Sequence, residues 1–121
     1  MQRLIVFLKL LFWAALIFAY VAAVVPSDEA PSFSVSDKVN HMIAFLTLTV
    51  LAGLAWPYAR WWKVGLLLAG FGALIEFTQI IPALHRDAEL LDWVADSAAI
   101  LVGLRIISPI RTRWRNALLR A

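Results

Sequence analysis

The fold is decided by a long apolar stretch at residues 4–25, which reads LIVFLKLLFWAALIFAYVAAVV. Lys9 is its one charged residue, and the stretch contains neither glycine nor proline. An α-helix needs about 20 apolar residues to cross the hydrocarbon core of a bilayer, whereas a membrane-spanning β-strand needs about half as many. Such a strand also alternates polar with apolar residues. The stretch therefore predicts a transmembrane helix.

Three further segments of the chain are similarly apolar, although each carries a few polar residues, and short connections join them. We therefore expect an all-α membrane protein, a four-transmembrane-helix bundle that forms a single domain over residues 1–121. The predicted spans are residues 4–25, 41–58, 64–82 and 90–107.

The composition favours a membrane protein over a soluble domain. Hydrophobic residues make up 63% of the 121 residues, and charged residues make up 16%. Soluble domains contain about 45–50% apolar and about 25% charged residues. The chain also contains no cysteine, which excludes disulfide scaffolds, zinc–thiolate sites and cysteine nucleophiles.

The first span has an alternative interpretation as a cleaved signal peptide, with Arg3 as its basic end. Its apolar run is longer than the roughly 7–15 residues usual in such a peptide, which favours an uncleaved helix. Cleavage would leave the topology of the other three spans unchanged.

The basic residues indicate the orientation, because lysine and arginine accumulate in cytoplasmic loops. We therefore expect both termini in the cytoplasm, which leaves only Lys38 and Arg86 on the outer side and places all eight acidic residues in the outer half. The basic stretch around Trp114 fits the same bias, and we interpret it as a topology determinant that lies at anionic lipid headgroups. No nucleic-acid partner is expected. The basic residues on the predicted cytoplasmic side are Arg3, Lys9, Arg60, Lys63, Arg105, Arg111, Arg113, Arg115 and Arg120.

Glu76 is a carboxylate within the third apolar segment. It precedes Pro82 by six residues, which is roughly 9 Å along a helix. Small residues at Gly72, Ala69 and Gly65 continue its helix face and permit close approach of another helix. A carboxylate at this depth costs several kcal/mol unless it is paired or protonated, so a functional role is the first interpretation. The alternative is a hydrogen-bonded glutamate that fixes helix packing.

Two other polar pairs lie at the outer ends of predicted helices. Asp37 and His41 are four residues apart and share a helix face, although Asp37 also suits a helix N-cap. Asp92 and Asp96 are one turn apart, and the helix dipole explains the first of them. Asp96 lies too deep for that explanation, and Gly103 continues its face.

These residues predict one polar pocket in the outer leaflet, built by the second, third and fourth helices. Its carboxylates outnumber the nearby bases, so either a carboxyl group is protonated or the pocket receives a cation. We consider His41, Glu76 and Asp96 as catalytic residues, and Glu76, Asp92 and Asp96 as metal ligands; no cofactor is identified. The predicted ligand-binding residues are Asp37, His41, Glu76, Gln79, Arg86, Asp92 and Asp96.

The motifs in this region resemble those of the VanZ-like family, over residues 37–103. They depart from its pattern at Asp96, where asparagine is common, and at Ala99, where glycine is common. The motifs are Asp37-Lys-Val-Asn-His41-Met-Ile-Ala-Phe45, Gly72-Ala-Leu-Ile-Glu76-Phe-Thr-Gln79, Arg86, and Asp92-Trp-Val-Ala-Asp96 followed by Gly103.

The resemblance implies a small integral membrane protein, in a family named for a teicoplanin-resistance accessory protein. We expect it in the bacterial cytoplasmic membrane, among membrane lipids, with its pocket facing the extracytoplasmic side. The resemblance brings no catalytic mechanism with it.

Three functions are compatible with such a pocket. The leading hypothesis is an accessory protein that binds a cell-envelope lipid intermediate or a lipoglycopeptide and contributes to teicoplanin resistance. The second is an enzyme acting on an envelope lipid, with His41 as general base, Glu76 or Asp96 as its partner, and a divalent cation as an optional component. The third is an ion-coupled carrier, for which so few spans would require a homo-oligomer.

Overall fold

A computed structural model of the chain describes residues 2–25, 37–81 and 90–120. The prediction of an all-α chain is confirmed for these residues, since each predicted span overlaps one helix. The last helix continues past residue 107 and through Pro109. The four helices are α1 (Gln2–Val24), α2 (Asp37–Ala55), α3 (Trp61–Thr78) and α4 (Leu90–Arg120).

The helices pack as a bundle in which α2 lies against both α1 and α4, and α3 lies mainly against α4. Residues spaced by three or four positions form the buried faces of α2, α3 and the first part of α4, as expected for helical periodicity. On α2 these are Phe45, Leu48 and Ala52, and they meet Leu68 of α3 and Ile100 of α4 in one apolar core.

Within the described residues, two helices, α1 and α3, are long and apolar enough to cross a membrane by length and composition. The sequence predicts four such spans. The apolar part of α2 is shorter, at Val39–Ala55. α1 is apolar around its whole circumference, yet most of it is exposed: Leu10 is 65% and Ile17 61% accessible. An apolar helix in a soluble protein is normally buried in the core, so the exposure of α1 is unusual for such a protein.

The charged residues of the described segments separate along the bundle. At one end, Lys9 of α1 lies 5.7 Å from the ring of Trp56, and Arg111 of α4 bonds the connection between α2 and α3. At the other end, Gln79, just after α3, bonds the last turn of α1. Glu76 lies one turn before Gln79, so this carboxylate belongs to the end away from the arginines.

Small residues allow the helices to approach closely, as predicted. A Cβ atom on Gly72 would lie 3.3 Å from the ring of Phe45, and one on Gly65 would lie 3.3 Å from Leu104. The carbonyl of Ala69, on the same stretch of α3, accepts a 3.0 Å hydrogen bond from Trp93 Nε1. The strip of small residues therefore brings α3 against α2 and α4.

Candidate functional site

Three helices contribute one ionisable side chain each to a single centre. α2 provides His41, α3 provides Glu76 and α4 provides Asp96. Below them, Gly72 lies one turn before Glu76 and contacts Phe45, the residue one turn after His41. The same periodicity that builds the core therefore directs these three polar residues inward.

The three side chains are close enough to act on one bound group. One nitrogen of His41 and one carboxylate oxygen of Glu76 and of Asp96 all lie within 4.8 Å of one another. His41 Nδ1 lies 3.8 Å from Asp96 Oδ2. This is an ion-pair distance but is too long for a direct hydrogen bond.

Burial makes this centre unusual. The side chain of Asp96 is 1% exposed and that of His41 is 14% exposed. Within the described residues, both carboxylate oxygens of Asp96 and the Nδ1 atom of His41 lack a hydrogen-bond partner. Buried polar atoms normally have one, because an unsatisfied group costs free energy. The centre is therefore suited to receive hydrogen-bond donors or a cation.

Gln79 was predicted to share the pocket with Glu76, but its amide group bonds elsewhere. Gln79 is 3% exposed, and its Nε2 donates a 2.9 Å hydrogen bond to the carbonyl of Ala23. Beside it, the hydroxyl groups of Tyr20 and Thr78 lie 3.0 Å apart. These contacts indicate that Gln79 holds α1 against the end of α3.

The other predicted site residues are described only in part. Asp37 begins α2, but its side chain lies outside what the structure describes, and so does the whole of Arg86. Asp92 lies in the first turn of α4, one turn before Asp96. Among the described residues, the group of close ligand atoms contains His41, Glu76 and Asp96. Asp92, which was predicted as a metal ligand, is not in this group.

Sequence reasoning had not assigned Trp93 to the site. Its indole ring contacts the open face of Gly72, and its Nε1 atom bonds α3. Trp93 therefore packs against Gly72, one turn before Glu76 on α3. The sequence feature that could have indicated this role is the position of Trp93 between Asp92 and Asp96 in the motif.

The basic end of the bundle contains a second polar arrangement. Arg111 donates a 3.0 Å hydrogen bond to the carbonyl of Trp56 and another to the carbonyl of Ala59. Burial, and secondarily the charge of Arg115, lower the pKa of Arg111. Trp114 Nε1 also donates to a carbonyl of α2, at 2.9 Å. This basic segment therefore clamps α4 to the end of α2, in addition to the topological role predicted for it.

Comparisons of the chain with models of known families, with curated proteins and with solved structures find no match. The VanZ-like resemblance consequently stays a prediction from the motifs.

Proposed function

We propose that this chain is an integral membrane protein of the VanZ-like type, located in the bacterial cytoplasmic membrane with both termini in the cytoplasm. In this arrangement the centre of His41, Glu76 and Asp96 lies in the extracytoplasmic half of the bilayer. The proposal is supported by the exposed apolar surface of α1 and by the two helices that are long and apolar enough to span. The separation of basic from acidic residues supports the orientation.

We further propose that the centre binds the polar headgroup of a cell-envelope lipid intermediate or of a lipoglycopeptide. Through such binding the protein would contribute to resistance against teicoplanin. The observation that carries the proposal is Asp96, whose two buried oxygens have no hydrogen-bond partner among the described residues. An amine or hydroxyl group of a bound headgroup would supply the missing donors.

The surroundings of the centre favour such a ligand. Away from water, a hydrogen bond to a buried carboxylate is stronger than one at a surface. Phe45 and Ile75 are each 1% exposed and belong to the apolar core next to the centre. A ligand with a lipid tail would remain in the bilayer while its headgroup reaches Asp96.

Direct binding measurements test this proposal. The protein is reconstituted in nanodiscs and titrated with fluorescent teicoplanin and, separately, with a labelled polyprenyl pyrophosphate. Asp96→Asn and His41→Ala are expected to weaken binding of one probe at least about tenfold, equivalent to about 1.4 kcal/mol.

The matched control for His41→Ala is Thr47→Ala on the same helix. Thr47 is exposed and its hydroxyl group bonds the backbone of its own helix, so this variant should bind as the wild type does. Wild-type protein that binds neither probe, or site variants that bind as well as Thr47→Ala, would overturn the proposal.

An enzyme acting on an envelope lipid is the second proposal, and the His41–Asp96 separation of 3.8 Å favours it. A general base is commonly oriented by a hydrogen bond to a neighbouring carboxylate, and Asp96 would take that role if its distance from His41 shortened on substrate binding. Incubation of the pure protein with the labelled polyprenyl pyrophosphate tests it. Release of inorganic phosphate that stops in His41→Ala supports catalysis, whereas binding without any product supports the accessory role.

A further inference from the structure

We infer that His41, Glu76 and Asp96 form a binding site for one divalent transition-metal cation of the Zn²⁺ class. The inference deepens the proposed function and rests on it in one respect: the polar headgroup would complete the coordination of the ion. The metal site itself is argued from the geometry, burial and chemistry of the three side chains.

The spacing of the ligand atoms is close to what such an ion requires. Zn²⁺ binds histidine nitrogen and carboxylate oxygen at about 2.0–2.2 Å, so two ligands in a tetrahedral arrangement lie about 3.4 Å apart. His41 Nδ1 and Asp96 Oδ2 are already 3.8 Å apart. The third atom, from Glu76, lies within 4.8 Å of the ligand atoms of the other two. Binding of the ion would require the Glu76 oxygen and the other two ligand atoms to move closer together, to about 3.4 Å.

The burial of Asp96 provides an independent reason for a cation. Its side chain is 1% exposed, and its two oxygens lack hydrogen-bond partners within the described residues. A buried carboxylate without hydrogen bonds costs several kcal/mol, and His41 Nδ1, at 3.8 Å, is too distant to donate one to Asp96. A divalent ion balances the charges of two carboxylates, and a neutral imidazole adds a ligand without adding charge.

The chemical nature of the ligands selects the class of metal. Mg²⁺ and Ca²⁺ prefer sites made of oxygen ligands alone, whereas an imidazole ligand suits Zn²⁺ and its transition-metal neighbours. The absence of cysteine from the chain excludes the thiolate ligands of most closed structural zinc sites. The described residues provide three ligands, and a site with three protein ligands keeps a fourth position open, as in zinc sites that bind a substrate.

The open position connects the metal to the proposed ligand. Envelope lipid intermediates carry phosphate groups, and lipoglycopeptides carry carboxylates and phenols; each offers an oxygen atom to a bound cation. The site would therefore recognise an anionic headgroup through the metal, although its own side chains are acidic. This resolves how two carboxylates and an anionic headgroup share one pocket.

Metal analysis of the full chain tests the inference. Protein purified in detergent is treated with a chelator, dialysed and titrated with Zn²⁺ alone, and the bound metal is measured by elemental analysis. We expect one Zn²⁺ per chain in the wild type. Substitution of Co²⁺ for Zn²⁺ should give the intense visible absorption of a tetrahedral site with nitrogen and oxygen ligands.

The variants His41→Ala, Glu76→Gln and Asp96→Asn should each weaken Zn²⁺ binding by more than the roughly 10–100-fold that loss of an outer-shell partner causes. Thr47→Ala on α2 is the control, because Thr47 is exposed and its hydroxyl group bonds the backbone of its own helix. Circular dichroism of each variant shows whether its helices form. Wild-type protein that binds no Zn²⁺, or site variants that bind Zn²⁺ as well as Thr47→Ala does, would overturn the inference.

Lipid binding is measured separately, so that the two proposals can fail independently. Wild-type protein with and without Zn²⁺ is titrated with the labelled polyprenyl pyrophosphate and with fluorescent teicoplanin. Equal binding by metal-free protein contradicts the role of the cation but leaves the proposed function standing. Stoichiometric Zn²⁺ binding with no affinity for either probe supports the metal site and contradicts the proposed function.

Discussion

Gly103 of α4 lies directly against Thr49 of α2. A Cβ atom on Gly103 would lie 2.9 Å from both Cβ and Cγ2 of Thr49, and Thr49 is completely buried. The hydroxyl group of Thr49 bonds the carbonyl of Phe45, one turn after His41 along the same helix. The contact therefore sets the spacing of the two helices that carry His41 and Asp96.

Gly103→Ala is expected to destabilise the protein by roughly 1–3 kcal/mol, as overpacking of a tight core does. Gly70→Ala is the matched control, because a Cβ atom there meets nothing within 4 Å. The control should keep or slightly raise the stability, since alanine is the better helix former. Thermal unfolding in detergent compares the two, and an equal or higher melting temperature for Gly103→Ala would contradict the packing argument.

Asp96→Asn should stabilise the chelated, metal-free protein by on the order of 1 kcal/mol, because it removes a buried charge while keeping the side-chain shape. In the presence of Zn²⁺ the order should reverse, since only the wild type gains free energy from binding the ion. Melting temperatures of both proteins, measured with chelator and with Zn²⁺, check both signs. A destabilised variant in chelator would mean that the carboxylate is satisfied without a metal.

Gln79→Leu should loosen the attachment of α1 by about 1 kcal/mol, the usual net contribution of one buried hydrogen bond. The lost bond is the one that Gln79 donates to Ala23. Hydrogen exchange should accelerate in the last turn of α1 and change little around Thr49. Tyr20→Phe, which removes the neighbouring hydroxyl contact, provides the comparison at the same end of the bundle.

Arg111→Gln should lower the stability by about 1–3 kcal/mol, because two carbonyl groups in the connection between α2 and α3, those of Trp56 and Ala59, lose a charged hydrogen-bond donor. Arg113→Gln removes the same charge from an exposed position of the same helix and should have little effect. Thermal unfolding of both variants distinguishes a specific clamp from a general effect of basic charge. Equal losses would contradict the clamp.

The absence of native cysteine makes the orientation directly measurable. Leu90→Cys, at the start of α4, should react with a membrane-impermeant maleimide applied to intact spheroplasts. Arg113→Cys, near the other end of α4, should react only after the membrane is opened. Labelling of Arg113→Cys in intact spheroplasts would place the basic end outside and contradict the proposed location of the centre.

Helix content was predictable from the sequence because it depends on local physics. A segment that must satisfy its own backbone hydrogen bonds in an apolar environment becomes a helix, and long apolar runs identify such segments. The end of α4 was harder to predict. The apolar run ends before the arginines that begin at Arg111, so hydrophobicity alone predicts an end near residue 107. Leucine, alanine and arginine are good helix formers, and the helix continues through Arg120.

The amino-acid sequence by itself determined the helices, the concentration of basic residues at one end, and the presence of Glu76 and Asp96 in apolar surroundings. Only the tertiary structure decided which polar groups meet. Glu76 and Gln79 are three residues apart, yet Glu76 lies with His41 and Asp96, whereas Gln79 bonds α1. That choice depends on the rotation of each helix about its axis. Contacts between distant residues set this rotation, such as those of Gly72 and Gly103, and local sequence does not encode it.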